Sequence, residues 1–255
     1  MGEILNCPEE SEERKMHGHT MPHAFGLTHP GLLRTRNEDR YLITEPASGR
    51  VLVAVIDGMG GQPAGDLAAE LARERLAAFP LDEAGPDDLH KCIAAINNDL
   101  EEAEERDPNA YGLGCTVTAA LIHERSVHWI HVGDCRLYHL RASTLTQITT
   151  DHNMAQFLHE EGKLAPEELR TSPMRNLLDQ ACGGSFMAAD SGAFAIAPGE
   201  MLLFSSDGLH DELAPEEIAA LLCLDDSIEA MAQALIAAAL KAGGKDNVTV
   251  VLMRW

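Results

Sequence analysis

The sequence predicts one α/β domain in which helices cover β-sheets. Short apolar runs of the kind that form buried strands alternate along the chain with longer segments of helical pattern. No clean repeat is visible, and no low-complexity linker divides the 255 residues. A chain of this length can bury a substantial core as a single domain, so the alternation favours sheets and helices packed together over two separate units.

Two strands and two helices are expected in the first part of the chain. "VLVAVI" is a continuous apolar run typical of a buried strand, and the second helical segment is rich in glutamate and ends at "DPN". The expected strands are 40–44 and 51–56, and the expected helices are 64–79 and 86–105.

The second part is expected to begin with three strands. "CTVTAALI", "SVHWIHV" and "RLYHL" are separated by the short segments "HER" and "GDC", which predicts an antiparallel meander. The remaining expected elements are a helical segment with proline breaks at 152–182, a strand at 194–206, two helices within 214–242 and a last strand at "NVTVVLM".

The N-terminal residues 1–22 are polar and are predicted to form a flexible tail in front of a domain that spans 23–255. Scattered histidines in and near this tail are more typical of an exposed segment than of a metal site. The first residues lack the basic start and apolar core of a signal peptide, and no apolar run approaches the ~20 residues of a transmembrane helix. We therefore expect a cytoplasmic protein that does not bind a membrane.

The chain is strongly acidic, with 41 Asp and Glu against 19 Lys and Arg and a formal net charge of −22. This charge argues against a general affinity for nucleic acid or for anionic membranes. An acidic enzyme that handles anions needs local positive charge, and metal ions are one source. The six cysteines show no C-x-x-C spacing, which favours reduced thiols over a disulfide framework or a zinc site.

The segment "DGMGGQPAG", which begins at Asp57, raises the first question of function. A P-loop would require a lysine and a hydroxyl residue after the last glycine, and a dinucleotide fingerprint would require glycine where Pro63 stands. Both nucleotide interpretations fail. What remains for a single Asp-Gly step is a turn whose aspartate caps the next helix.

That simple interpretation weakens because carboxylates recur where apolar strands begin or end. They are Glu38, Asp39, Asp57, Asp134, Asp207 and Asp246, and Asp207 again precedes a glycine. Gathered at one edge of the sheets, these groups would repel one another unless cations neutralised them. Oxygen ligands without cysteine or histidine suit Mg²⁺ or Mn²⁺, and a glycine such as Gly58 lets a backbone carbonyl approach an ion closely.

The ordered motifs "RTRNED", "VIDGMGGQPAG", "GLGCTVTA", "HVGDCR", "LTQITTDHN", "LLFSSDGL" and "GGKDNVTV" make residues 25–255 similar to the type 2C family of metal-dependent serine/threonine phosphatases, especially its compact bacterial members. This resemblance implies an α+β fold, a four-layer α-β-β-α sandwich with a central antiparallel β-sandwich flanked by helices. It also implies two Mn²⁺ or Mg²⁺ ions per chain at one end of the sandwich.

The resemblance also assigns roles to residues of this chain. Asp57 would bridge both ions, Glu38 and the Gly58 carbonyl would serve one side, and Asp207 and Asp246 the other. Four further positions match supporting roles in the family: Asp39 beside the metal ligands, Arg34 on the substrate phosphate, Asn247 as a support of the site, and Asp134 at the position of a third, weaker ion.

The implied activity is hydrolysis of phosphoserine and phosphothreonine in proteins by a metal-activated water, without a covalent phosphoenzyme. The implied partners are phosphorylated proteins and a cognate serine/threonine kinase, and we expect a monomer. Two alternatives stay open. One is a catalytically impaired relative that binds phosphoproteins or a kinase, and the other is a phosphatase of a small phosphorylated metabolite.

Several positions depart from the family pattern. Met59 and Gln62 stand where relatives carry histidine, so the sequence assigns no general acid. His152 is a candidate by residue type, with a structural role as the alternative. The resemblance implies that residues 152–182 form a flap beside the metals that helps to select substrates, and the apolar positions of this segment suit ordinary packing equally well. Cys115 and Cys135 are expected near one end of a hairpin, where oxidation could couple them unless they lie too far apart.

Overall fold

The computed structural model describes residues 22–44, 49–59, 64–107, 112–184, 187–224 and 226–255. The expected tail at 1–22 therefore lies almost wholly outside the described residues, and so does Gln62. The described chain forms two antiparallel sheets with helices on their outer faces, which confirms the α+β sandwich implied by the resemblance.

Ten strands form the two sheets. They are β1 His23–His29, β2 Asp39–Thr44, β3 Arg50–Met59, β4 Gly114–His123, β5 Ser126–Val132, β6 Arg136–Arg141, β7 Thr144–Gln147, β8 Asp190–Ala195, β9 Met201–Ser205 and β10 Val248–Arg254. Sheet I has the strand order β1-β10-β9-β6-β7, and sheet II has the order β2-β3-β4-β5-β8. Every pair of neighbouring strands is antiparallel.

Six α-helices accompany the strands in the described residues. They are α1 Ala64–Ala77, α2 Pro86–Arg106, α3 Met154–Glu160, α4 Asp207–His210, α5 Pro215–Leu222 and α6 Ile228–Ala242. The helices expected at 64–79, at 86–105 and within 214–242 are thus confirmed. None of the described helices combines the length and the apolar character that crossing a bilayer requires.

The side-chain alternation of the central strands explains the four layers. On β3, Leu52, Ala54 and Ile56 face α1 and α2, whereas the alternate residues Val51, Val53 and Val55 face sheet I. On β10, Val250 packs against the helices on the other side. Both faces of these strands are buried, which is why their sequences read as continuous apolar runs instead of alternating ones.

Two expectations about the elements were wrong. β4 and β5 form the expected hairpin, but β6 pairs with β7 and β9 in sheet I, so the chain crosses between sheets at Gly133–Asp134 and the three predicted segments do not form one meander. The expected strand at 194–206 is two strands in different sheets. Residues 152–182 contain α3 and two short 3₁₀ turns that begin at prolines, Pro166–Glu168 and Pro173–Asn176, as expected of a helical segment with proline breaks.

The crossing between the sheets depends on Gly133. Its φ of 105° lies in the region that favours glycine, and an added Cβ would overlap the side chain of Thr116 on β4. Thr116 is itself buried opposite Asp57. The turn that carries Asp134 is therefore pressed directly against sheet II.

We expect Gly133→Ala to destabilise the fold much more than Gly199→Ala. Gly199 also has a positive φ, of 85°, but an added Cβ there meets nothing within 4 Å. Gly199→Ala should lower the free energy of unfolding by about 1 kcal/mol through backbone strain alone. Gly133→Ala should lower it by about 3 kcal/mol, because overlap with Thr116 is added. Urea unfolding of both variants in EDTA measures the difference, and equal losses would show that the turn is not packed as described.

Candidate metal centre

One end of the sandwich collects the carboxylates that the sequence singles out. A cleft of 680 Å³ opens there, and the described residues that line it include Arg34, Glu38, Asp57, Gly58, Asp134, Asp207, Asp246 and Asn247. Sheet II brings Asp57 into direct register with Asp39 on the neighbouring strand. Sheet I brings the ends of β9 and β10 beside them, so both sheets contribute acidic groups to one site.

Both Asp-Gly steps are sites of close backbone approach. A Cβ on Gly58 would overlap the Gly65 carbonyl oxygen and lie 2.9 Å from the Glu38 carbonyl oxygen. A Cβ on Gly208 would overlap the Asn247 carbonyl oxygen in the same way. Glycine is therefore required at both steps for packing, and this close packing places Asp57 near Glu38 and Asp207 near the start of β10.

Asn247 holds the loop that carries Arg34 and Glu38. Its Oδ1 accepts a hydrogen bond of 2.7 Å from the Glu38 backbone N–H. Its Nδ2 donates to the carbonyl oxygens of Pro30 and Arg36 at 2.9 and 2.8 Å. One buried amide thus fixes three points of the loop at residues 30–38, consistent with the supporting role expected of Asn247.

The Arg34 side chain reaches from this loop to Asp246, which precedes β10. Its Nη2 lies 2.6 Å from Oδ2 of Asp246, and both side chains are partly exposed to the cleft. Nearby charges of Asp207 and Glu38 help to raise the pKa of Arg34, after the larger effect of the hydrogen bond to Asp246. The guanidinium is therefore a positive group held at an acidic site.

Asp39 joins the two sheets beneath the cleft. Its Oδ2 accepts hydrogen bonds of 2.7 Å from Ser206 and from Thr249, which both belong to the sheet I side. Its Oδ1 is buried and has no hydrogen-bond partner among the described residues. The contacts place Asp39 in a supporting position, because one of its oxygens holds the two sheets together beside Asp57.

The carboxylates are held in an environment that disfavours their charge. Burial, followed by the charges of Asp39 and Asp207, raises the pKa of Asp57 well above its ordinary value. Burial and the charge of Asp134 do the same to the pKa of Asp207. Burial raises the pKa of Asp39 to about 6 and the pKa of Asp134 to about 7. Without a counter-charge, gathering these groups opposes folding at neutral pH.

The donor set fits divalent cations that prefer oxygen ligands. Oδ1 of Asp207 is buried without a hydrogen-bond partner in the described part of the chain, as is Oδ1 of Asp39, and cations would satisfy such oxygens. A Cβ on Gly65 would lie 2.6 Å from Oε2 of Glu38 and 2.8 Å from the Gly58 carbonyl oxygen, so these two oxygens lie close together. Among the described side chains, no three acids, histidines or cysteines already converge as the ligands of one ion would.

Neither histidine position expected from relatives supplies a general acid. Met59 lines the cleft, and Gln62 is outside the described residues. His152 lines a separate cleft near Asp190. Its ring Nδ1 accepts a hydrogen bond of 3.2 Å from the Gly133 backbone N–H, and its backbone N–H donates to the Gly133 carbonyl oxygen at 2.7 Å. Its ring Nε2 lies 3.3 Å from a carboxylate oxygen of Asp190. These contacts give His152 a structural role in holding the turn before Asp134.

The flap contributes cleft residues that the sequence did not indicate. Arg175, Asn176 and Leu177, from its second 3₁₀ turn and the residue after it, line the central cleft. Arg175 forms an ion pair with Asp211, which follows α4. Asp211 could have been found from its spacing, because it stands four residues after Asp207. No local pattern distinguishes Arg175 from an ordinary surface arginine.

Cys115 and Cys135 pack in different cores on the two sides of sheet II, which favours the separation that the sequence analysis allowed for over a coupled pair. Cys115 belongs to the core between sheet II and the helices, and Cys135 to the core between the two sheets. The Cys135 thiol lies 3.1 Å from the Thr116 hydroxyl. The partner of Cys115 is instead Cys182, at the end of the flap.

Comparison with known proteins is consistent with this geometry. The chain is 38% identical over 225 residues to the serine/threonine protein phosphatase PstP of Mycobacterium tuberculosis, covering 87% of this chain but only 43% of that protein. The solved structure of the phosphatase Stp1 from Staphylococcus aureus matches with 31% identity and a TM-score of 0.86, covering 95% of this chain and 98% of that one.

A second solved structure, the catalytic domain of the phosphatase PstP in complex with two manganese ions, matches with 34% identity and a TM-score of 0.81, covering 91% of this chain and 97% of that one. The sequence profile described as Protein phosphatase 2C matches residues 34–243, which is most of the chain. The chain therefore belongs to the protein phosphatase 2C family.

Proposed function

We propose that this chain hydrolyses phosphoserine and phosphothreonine in proteins with the help of two Mn²⁺ or Mg²⁺ ions. The observation that carries the proposal is that carboxylates from both sheets, most of them partly buried, line one cleft that also contains Arg34. The named phosphatases among the relatives support it. Phosphorylated proteins as substrates, a cognate kinase, a monomeric state and a cytoplasmic location remain predictions.

The residues that would hold the ions are Asp57, Asp207, Asp246, Glu38 and the Gly58 carbonyl, which all belong to residues that line the central cleft. Bound there, the ions would supply positive charge for the phosphate and lower the pKa of water toward ~7. Asp39 would fix the position of the Asp57 strand through Ser206 and Thr249. Asn247 would hold the loop with Glu38 in place.

Arg34 would bind the substrate phosphate. Its planar guanidinium can donate two parallel hydrogen bonds to phosphate oxygens, which a lysine cannot do. In the present structure it donates to Asp246 instead. In the proposed site, Arg34 would bind the substrate phosphate and Asp246 would bind an ion. The ion pair between these two residues would therefore have to separate.

The first test measures turnover of a phosphothreonine peptide with Mn²⁺, with Mg²⁺ and with EDTA. We expect turnover with at least one metal and none with EDTA. Asp57→Asn should reduce turnover by about 10³-fold or more, because the loss of a ligand charge removes several kcal/mol of metal-assisted stabilisation. Asp87→Asn, at an exposed position on α2, is the matched control and should behave as the wild type.

No turnover with either metal in a folded wild-type protein would contradict the proposal and favour the phosphoprotein-binding alternative. Turnover of small phosphorylated metabolites without turnover of the peptide would favour the metabolite phosphatase.

The second test concerns Asp134, which lines both the central cleft and a neighbouring cleft of 360 Å³ beside the flap. We propose that Asp134 would hold a third, weaker ion, whose charge would favour protonation of the leaving alkoxide. Asp134→Ala should then lower turnover of the phosphothreonine peptide by about 10²-fold. Turnover of p-nitrophenyl phosphate should fall less, because p-nitrophenolate leaves without protonation.

Calorimetry measures, alongside this comparison, how many Mn²⁺ ions the wild type and Asp134→Ala each bind. Asp134→Ala should retain the two tight sites. Equal losses on both substrates, or the loss of a tight site, would show that Asp134 acts in the main centre or in the fold, and the third-ion role would then be abandoned.

A further inference from the structure

The start of β4 is paired with the end of the flap through two cysteines. The Cys115 N–H donates to the Cys182 carbonyl at 3.0 Å, and the Cys182 N–H donates to the Cys115 carbonyl at 2.9 Å. The two residues therefore exchange both backbone hydrogen bonds of an antiparallel bridge. In such a pair the Cα atoms lie about 5.5 Å apart.

That separation falls inside the range of about 4.4–6.8 Å that is usual between the Cα atoms of disulfide-bonded cysteines. Side chains of directly opposite residues share one face, and both thiols are fully buried in the core between sheet II and the helices. A hydrogen bond with the Cys182 thiol, followed by burial, raises the pKa of Cys115 well above its ordinary value. The Cys182 sulfur also lies 3.6 Å from the Met187 sulfur.

The neighbouring backbone fits closely around this pair. A Cβ on Gly114 would lie 2.9 Å from the Cys182 carbonyl oxygen, and the Gly183 N–H donates to Oδ1 of Asn97 on α2 at 2.8 Å. On its other side, β4 places Cys115 in register with Gly58. The two cysteines thus stand between the end of the flap and the strand that carries Asp57.

We propose that Cys115 and Cys182 are a disulfide-forming pair, whose oxidation ties the C-terminal end of the flap to β4 beside the metal centre. With hydrogen peroxide as oxidant, one thiol becomes a sulfenic acid as the O–O bond breaks and one water leaves. The second thiol attacks that sulfur, the S–S bond forms and a second water leaves. A disulfide exchange with oxidised glutathione gives the same bond and two reduced glutathione molecules.

Burial sets the rate of this reaction more than its equilibrium. A disulfide is uncharged and apolar, so it suits the site better than a thiolate does. Thiol–disulfide exchange requires a thiolate. It therefore proceeds when the backbone pairing between Cys115 and Cys182 opens locally and exposes the thiols. The other buried cysteines of the described chain are placed differently: the Cys92 thiol lies 3.9 Å from the Arg75 carbonyl oxygen, and Cys135 faces the inter-sheet core.

The test uses the full chain with Cys7→Ser and Cys223→Ser, which prevents cross-linking between molecules. It is equilibrated in an oxidising glutathione buffer both as the folded protein and by refolding from the reduced, unfolded state, so that burial cannot block the reaction. Free thiols are then alkylated, and the peptides are mapped by mass spectrometry. We expect a linked Cys115–Cys182 peptide by either route, absent in Cys182→Ala and retained in Cys92→Ala.

Three results would each overturn the proposal: free thiols by both routes, a glutathione adduct in place of the linked peptide, or a link through Cys92 or Cys135.

A second measurement tests whether the disulfide restrains the flap. On oxidation, hydrogen exchange of the backbone amides 177–184 should slow by about tenfold or more, and Tm should rise by about 5 °C or more. Unchanged exchange at these amides would overturn the claim that the bond restrains the flap. None of these readouts depends on catalysis, so the inference stands or falls separately from the proposed phosphatase activity.

Discussion

Electrostatic repulsion among carboxylates at one end of the β-sandwich is the constraint on which the rest of the structure depends. Asp39 and Asp57 face each other across β2 and β3, and Asp207 and Asp246 join them from sheet I. A fold selected only for stability would keep such groups apart in water. Here burial and mutual repulsion raise the pKa values of Asp57 and Asp207, and the cations proposed above would neutralise these groups.

The surrounding fold holds this site in place through neutral contacts. Gly58 and Gly208 let backbones approach too closely for any side chain, and Asn247 secures the loop before β2 by three hydrogen bonds. Ser206 and Thr249 donate to Asp39 across the two sheets. These contacts involve no ion, so the protein itself holds the backbone segments that carry the carboxylates in place.

The pattern of apolar residues predicted most strands and helices. The central strands β3 and β10 were clear because both of their faces are buried, which gives continuous apolar runs. The pattern did not predict which sheet a strand joins. β5 and β6 are separated by only three residues, yet the left-handed region occupied by Gly133 sends the chain to the other sheet. The edge strand β1 was missed because its half-buried residues, "HAFGLTH", lack an apolar run.

The acidic positions were predictable because carboxylates recur at strand ends, and the family resemblance assigned their roles. The cleft residues from the flap were not predictable, since Arg175 is brought in by tertiary contacts with Asp211. The pairing of Cys115 with Cys182 joins distant segments, and the local pattern pointed instead to Cys135. Cys115 packs in the core between sheet II and the helices, together with Cys182, whereas Cys135 packs in the core between the two sheets.

Thermal unfolding as a function of pH, with and without Mn²⁺, tests the central claim most directly. Asp39 and Asp134 have folded pKa values of about 6 and about 7, raised from 3.8. Groups with raised pKa values stabilise the folded state below their unfolded pKa, and this stability is lost as pH rises through the folded pKa. The metal-free protein should therefore lose stability between about pH 4 and pH 7, and saturating Mn²⁺ should restore it increasingly as pH rises.

Because a net charge of −22 also disfavours the compact state at higher pH, the comparison includes two variants. Asp57→Asn should flatten the pH dependence and weaken the response to Mn²⁺, whereas Glu105→Gln, at an exposed position on α2, should leave both unchanged. A metal-free protein whose Tm is indifferent to pH across this window and to Mn²⁺ would contradict the account of the carboxylates as a strained, cation-binding centre.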